Sequence, residues 1–421
     1  MNIKKIYILF FLAVIILLIN GCKTVTRLTH RNFDYLYDEA RFSLNPDYRM
    51  FHHLKDSSTL FFRISSDELQ YTRDSDEELY KANYKIRYKL FTSFRDNVVL
   101  DSLTTFFSDI AMHETGSHII DSVVLSLPSG DNYLMQVEMT DLNDQSQHIS
   151  LIRVNKTGDG NLQYFKVYRH DVDNGRVLMF SPFLSKNRNY ILQYRSLDLK
   201  KAEVEVYSKP QPVALPPFAN RQQAISKLKP DSVYQIDFEK GIANLSVEST
   251  RIYRIKIDEA SNFGALLYCF YEGFPAIEGD QRLYPLRYLT TGEEFETILS
   301  YPDPVDAVDI FWNAIAGTHH RGNITVDRYY DNVQQSNIYF TTWKEGWKTD
   351  RGMIYSVFGP PNHVTIDLNY ERWIYDGSWQ IPQTEFRFRK MDAPLGTKCY
   401  ELERKPEYRN VWFHIVENLR R

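Results

Sequence analysis

The chain has 421 residues, with 50 lysines and arginines against 54 aspartates and glutamates and a formal net charge of −4. That balance provides no basic face for nucleic acid, and the length predicts more than one domain. Its 29 tyrosines and 26 phenylalanines favour strands.

Residues 1–21 read as a signal peptide. Lys4 and Lys5 form a basic start, and Ile6 to Ile19 an apolar run that is short for a membrane-crossing helix and suited to a signal-peptide core. The run ends in Ile19-Asn20-Gly21-Cys22, which resembles the lipobox of bacterial lipoproteins. The resemblance implies cleavage after Gly21 and acylation of Cys22, and two or more acyl chains anchor stably at roughly 0.8 kcal/mol per buried CH2. The first partner implied is therefore a membrane. Cleavage would leave 48 basic against 54 acidic side chains, a formal −6. Lys23-Thr24-Val25-Thr26 lacks an acidic export cluster, which favours the periplasmic side, with the outer membrane as the expected location.

Residues 22–47 read as a lipidated tether. Within it Phe33, Leu36, Tyr37 and Ala40 recur at helical spacing between Asn32 and Phe42, and Asn45-Pro46-Asp47 ends the pattern. Over residues 48–155 the period becomes two. Tyr84, Ile86, Tyr88 and Leu90 alternate with Lys85, Arg87 and Lys89, so one face of this strand is expected to be buried. Shorter runs at Asn97 to Leu103, Ile119 to Leu127, Tyr133 to Met139 and Ile149 to Val154 complete an immunoglobulin-like β-sandwich.

Residues 156–289 read as a second β-sandwich. Asn174-Gly175 is a hairpin signal before Val177 to Phe180. Further strands are expected at Tyr190 to Tyr194, Ala202 to Tyr207, Val233 to Phe238, around Tyr253 and Ile255, and at Leu266 to Tyr271. Prolines between Pro210 and Pro217 interrupt the pattern, as at an edge, a long loop or a domain seam.

No metal or cofactor is expected. His113 and His118 are five apart where a zinc helix needs four, and Asp171-Val172-Asp173 has no closing carboxylate at calcium-loop distance. His319-His320 stands without further ligands. Cys269 and Cys399 are left either paired in an oxidising compartment or, for Cys269, buried as a free thiol in its apolar run.

Residues 290–421 read as an α+β module. Val308, Phe311, Trp312 and Ile315 form one helical stripe, and Val326, Tyr329, Tyr330, Val333, Asn337 and Phe340 another. Residues 317–323 between them read as a loop. Thr349 or Asp350 then caps a helix whose buried face is Met353, Ile354, Val357 and Phe358, and Gly359-Pro360-Pro361 stops it. Two residues do not fit that chemistry. Gly352 sits in the first turn, where it costs up to about 1 kcal/mol relative to alanine, and Arg351 opposes the helix dipole. Something is expected to pack against the backbone at Gly352, with Trp347 the nearest large candidate. A partner for Arg351 is expected too, either a carboxylate at Asp350 or Glu345 or a ligand. Strands are expected at Val364 to Leu368, Arg372 to Tyr375, Phe386 to Phe388, Tyr400 to Leu402 and Val411 to Ile415.

Gly346-Trp347-Lys348-Thr349-Asp350-Arg351-Gly352, with Tyr355 and Gly359-Pro360, resembles the signature of GWxTD domain-containing proteins, found chiefly in Bacteroidetes. Phe311-Trp312, Tyr329 to Val333 and Glu371 to Tyr375 extend the resemblance over residues 306–388. The layout of helix, Gly-Pro stop and Trp-bearing strand is also similar to small outer-membrane assembly lipoproteins of the OmlA kind. The family is defined by sequence and implies no reaction. The whole therefore reads as a non-catalytic periplasmic lipoprotein that binds an envelope protein or glycan through the signature residues, with the sandwiches as spacers or further contacts. The alternative is a glycan-directed hydrolase using Asp350 with a second carboxylate and Arg351 as anion stabiliser.

Overall fold

The computed structural model describes residues 31–73, 79–93, 98–111, 116–158, 160–171, 175–208, 211–223, 227–258, 264–315, 319–378 and 382–420. The expected signal peptide, Cys22, His113 and the turn at Val172, Asp173 and Asn174 lie outside the described residues, as do the side chains of His319 and His320.

The first sandwich sets the sheet β1 (Asp47–His52), β2 (Ser57–Ser65) and β5 (His118–Ser126) against β3 (Tyr80–Phe91), β4 (Asp101–Ala111), β6 (Asn132–Asp141) and β7 (Gln147–Asn155). Their orders are β1-β2-β5 and β4-β3-β6-β7, antiparallel throughout. Tyr84, Ile86, Tyr88 and Leu90 enter the shared core with Phe62, Val137 and Met139. Sequence patterning misses β1 for a physical reason. Arg49 and His52 on β1 are buried because they meet the second sandwich, where Arg49 donates to the Phe165 carbonyl (2.9 Å) and His52 meets Gln163 (3.1 Å). No polar-outward alternation survives at such a junction.

The second sandwich contains β8 (Phe165–Asp171), β9 (Gly175–Leu178), β10 (Arg188–Tyr194), β11 (Lys201–Tyr207), β12 (Ser232–Asp237), β13 (Ile242–Val247), β14 (Arg251–Lys256) and β15 (Ala265–Cys269). Their sheet orders are β13-β10-β8-β9 and β12-β11-β14-β15. Val167, Leu192, Val204, Leu245, Ile255 and Leu267 fill the space between them. Cys269 belongs to this core, and both it and Cys399 are free thiols. The proline-rich stretch is a seam. Residues 211–217 run as an irregular strap from the second sandwich across the C-terminal module, where the Pro212, Leu215 and Pro217 carbonyls accept bonds from Lys344, Arg404 and the Lys405 amide.

The C-terminal module has helices α1 (Gly292–Leu299), α2 (Pro304–Ile315), α3 (His319–Phe340), α4 (Asp350–Phe358) and α5 (Tyr408–Leu419). They accompany a sheet of β16 (His363–Ile366), β17 (Tyr370–Tyr375), β18 (Thr384–Asp392) and β19 (Lys398–Leu402), in that order. Two expectations change here. The stretch read as a loop begins α3 at His319: Gly322 costs that helix only about 1 kcal/mol, while Tyr329, Val333 and Phe340 bury its later turns. The strand expected at Val411 to Ile415 is part of α5. A short apolar run fits either structure, and burial of Tyr408, Val411, Trp412, Val416 and Leu419 at helical spacing decides for a helix.

The largest departure lies at the N-terminal end. Asn32 to Phe42 forms two 3-10 turns, Asp34–Tyr37 and Glu39–Arg41, neither capped by a side chain. Phe33 and Tyr37 sit in the core of the C-terminal module, beside Phe340, Tyr355 and Trp373. The stretch expected to serve as a tether is part of that module's packing.

Candidate functional site

The signature forms a turn pressed against α3. Gly346–Lys348 makes one 3-10 turn, and Thr349 then caps α4 by accepting the Gly352 amide (3.0 Å) while its hydroxyl donates to the Gly346 carbonyl (2.7 Å). A Cβ on Gly346 would collide with the Ser336 carbonyl, and one on Gly352 with the Gly346 carbonyl and the Trp347 backbone. Both glycines are therefore demanded by close backbone approach. Ser336 and Asn337, fully buried on α3, complete the junction. The Ser336 hydroxyl bonds the Asn332 and Gly352 carbonyls, and Asn337 Oδ1 accepts the Trp347 amide (3.3 Å). Trp347 is buried edge-on to Tyr288, whose hydroxyl donates to the Trp347 carbonyl (3.0 Å). At the far end Gly359 takes φ +76°, and its carbonyl accepts the Tyr375 hydroxyl (2.8 Å) before Pro360.

Asp350 and Arg351 engage different strands of the sheet through their charged groups. Asp350 turns towards β19, where its carboxylate accepts the Leu402 amide (2.7 Å) and a two-pronged bond from Arg404 (2.6 and 3.1 Å), whose side chain is 2% exposed. The cap is Thr349, and Asp350 serves as a buried counter-ion. Arg351 pairs with neither Asp350 nor Glu345. It bonds Glu371 on β17 (3.0 Å) and lies over the rings of Tyr400 (4.0 Å) and Phe340 (4.7 Å). Burial opposes its charge, and the Glu371 carboxylate together with Tyr37 and Tyr400 more than offsets that, holding the guanidinium pKa above its ordinary value. Glu371 also accepts from Trp373 Nε1 and the Tyr37 hydroxyl (2.7 Å each). Tyr355 donates to the Tyr37 carbonyl (2.7 Å). Glu345 pairs with Lys348 (2.6 Å).

Two cavities open beside this frame. A small one of about 60 Å³ is walled by Thr342, Lys344, Asp350, Cys399, Tyr400 and Glu401. Burial, partly offset by Asp350 and Glu345, lowers the Lys344 pKa to about 8, and its ammonium donates to the Pro212 carbonyl (3.2 Å). Burial, followed by Asp350, raises the Cys399 thiol to about 11, and burial, followed by Glu272, does the same at Cys269. The larger is a crevice of about 800 Å³ between the second sandwich and the module, reached by Tyr207, Arg251, Tyr284, Arg287, Phe295 and Trp347. Among the described residues no cluster of His, Cys, Asp and Glu could hold a metal ion.

Residues 251–421 match the family model of the GWxTD domain. The chain carries a GWxTD domain. The match begins at the first residue of β14, so the last two strands of the second sandwich fall within it. Among curated proteins no relative matches. Among solved structures, the chain is aligned with red sea bream transglutaminase at 6% identity and a TM-score of 0.19, over 51% of this chain and 28% of that one. That score conveys neither fold nor activity.

Sequence reading located the signature and missed its partners. Tyr37, Lys344 and Arg404 are far from it or outside its pattern. The one signal for Tyr37 was its apolar spacing with Phe33 and Leu36, which suggested burial and left the surface open.

Proposed function

We propose that the chain is a lipid-anchored envelope protein, held at Cys22 on the periplasmic side of the outer membrane, and that its GWxTD domain binds a segment of another envelope protein without catalysing a reaction. The observation that supports this reading is the engagement of the signature's polar groups within the fold. Thr349, Asp350 and Arg351 all bond protein partners, so the signature builds a rigid frame, and the roomy surface beside it is the crevice of about 800 Å³. Aromatic walls with a few polar groups suit a binding cleft at a domain junction. A glycosidase needs a second carboxylate facing the first across a groove. Asp350 is instead held by Arg404 and Leu402, and Glu401, the other acid on the small cavity's wall, pairs with Arg389 (3.0 Å).

The test is photocrosslinking in native envelopes, with a reactive amino acid replacing Tyr284 or Glu296 in the crevice and, as a control, Val124 on β5. The expected outcome is a protein adduct from the crevice positions alone. Adducts from Val124 only, or from none of the three, contradict the proposal.

A further inference from the structure

The segment before the first sandwich holds its shape through contacts with the GWxTD domain. Its two 3-10 turns lack side-chain caps, and an isolated turn of this kind has no stability of its own. Instead, the Phe33 amide donates to the Val364 carbonyl (2.8 Å), and Asn32 Oδ1 accepts the Val364 amide (2.8 Å). Asn32 Nδ2 also meets the Asn362 carbonyl (3.2 Å) and His363 (3.0 Å). The edge of β16 is thereby closed, in the manner of a peptide added to a sheet. Phe33 is 1% exposed. Four residues on, the Tyr37 ring packs against Phe340, Trp373 and Tyr339 with centroids 5.3 to 5.6 Å away. Its hydroxyl donates to Glu371 (2.7 Å) and accepts from Arg351 (3.2 Å), and its carbonyl accepts from Tyr355.

We propose that the face formed by β16, Arg351, Tyr355 and Glu371 is a peptide-binding site for an Asn-Phe-x-x-x-Tyr segment, which this chain fills in cis with Asn32 to Tyr37. The segment lies outside the family match at residues 251–421, whereas Arg351 and Tyr355 belong to the signature. Two signature side chains thus recognise a stretch of chain more than two hundred residues before the matched region. The aromatic walls select rings, and the Arg351–Glu371 pair selects a tyrosine over a phenylalanine, because only a hydroxyl can bond both partners in the buried site. This site is separate from the crevice and does not rest on it.

The test uses the full chain, the Phe33→Asp/Tyr37→Ala double variant that empties the site, and a fluorescent peptide of residues 31–42. The peptide is expected to bind the variant saturably and to bind the wild type at least about ten-fold more weakly. A peptide carrying phenylalanine in place of Tyr37 should lose about ten-fold or more in affinity, the worth of a hydrogen bond to a charged group. A variant with native circular dichroism that does not bind the peptide overturns the proposal, as does equal binding by the wild type. Should the variant not fold, amide exchange on the wild type decides. Phe33 and Val364 exchanging together, ahead of the Trp373 amide, supports a docked ligand; exchange of Phe33 only with global unfolding overturns it.

Discussion

Asp350 illustrates how a side chain that sequence marks as available can be fully engaged. Its spacing before an apolar helical face suggested a cap or a catalytic acid; the partner that decides its role, Arg404, follows β19 and is placed by tertiary structure alone. Removing one member of a buried pair strands the other. Asp350→Ala is therefore expected to destabilise the chain by about 3–5 kcal/mol, read as a lowered urea midpoint, and an unchanged midpoint would contradict the buried-pair assignment. Lys344 allows a pH test. Burial lowers its pKa from 10.5 to about 8, so between those values the unfolded chain binds the extra proton. The cost of burying the charge is full below about pH 8 and vanishes as pH rises through 10.5. Wild type is expected to gain on Lys344→Met across that window by on the order of 3 kcal/mol, measured as the difference between their unfolding free energies. A pH-independent difference would contradict it.

At the scale of elements, punctuation was legible and company was not. The stop at Gly359-Pro360 and the buried face of Met353, Ile354 and Val357 follow from helix chemistry and are present. The alternation of β3 likewise fixed its buried face. Where one element meets another edge-on, patterning fails: β1 loses its alternation to the second sandwich, and α5 hides in a short apolar run. The odd glycine in the first turn of α4 did carry information, because a residue that helix propensity disfavours signals a neighbour too close for a Cβ. Gly352→Ala should accordingly destabilise by about 1–3 kcal/mol or more through overpacking. Gly292, which opens α1 at a point where a Cβ would meet nothing within 4 Å, should tolerate alanine or gain up to about 1 kcal/mol. Thermal melts of the two variants check the contrast, and equal shifts would contradict it.

For the whole molecule, sequence order misleads about spatial order. Read along the chain, two sandwiches separate the proposed anchor from the signature; in the fold, Asn32 lies on β16 of the GWxTD domain. Ten peptide bonds separate Cys22 from Asn32, a reach of at most about 35 Å. On the proposed lipidation, the sandwiches cannot be spacers that carry the domain away from the bilayer. A long-range contact of this kind leaves no local pattern, which is why the tether reading was natural. The most direct test is energy transfer from a dye at His363→Cys, beside the docked segment, to acceptor lipids in vesicles carrying the lipidated full chain. Partition into detergent, compared with Cys22→Ser, first establishes the anchor. With the anchor in place, efficient transfer is expected, and a long Gly/Ser insertion between Cys22 and Asn32 should reduce it sharply. Weak transfer that the insertion leaves unchanged would contradict a GWxTD domain held at the membrane by its own N-terminal segment.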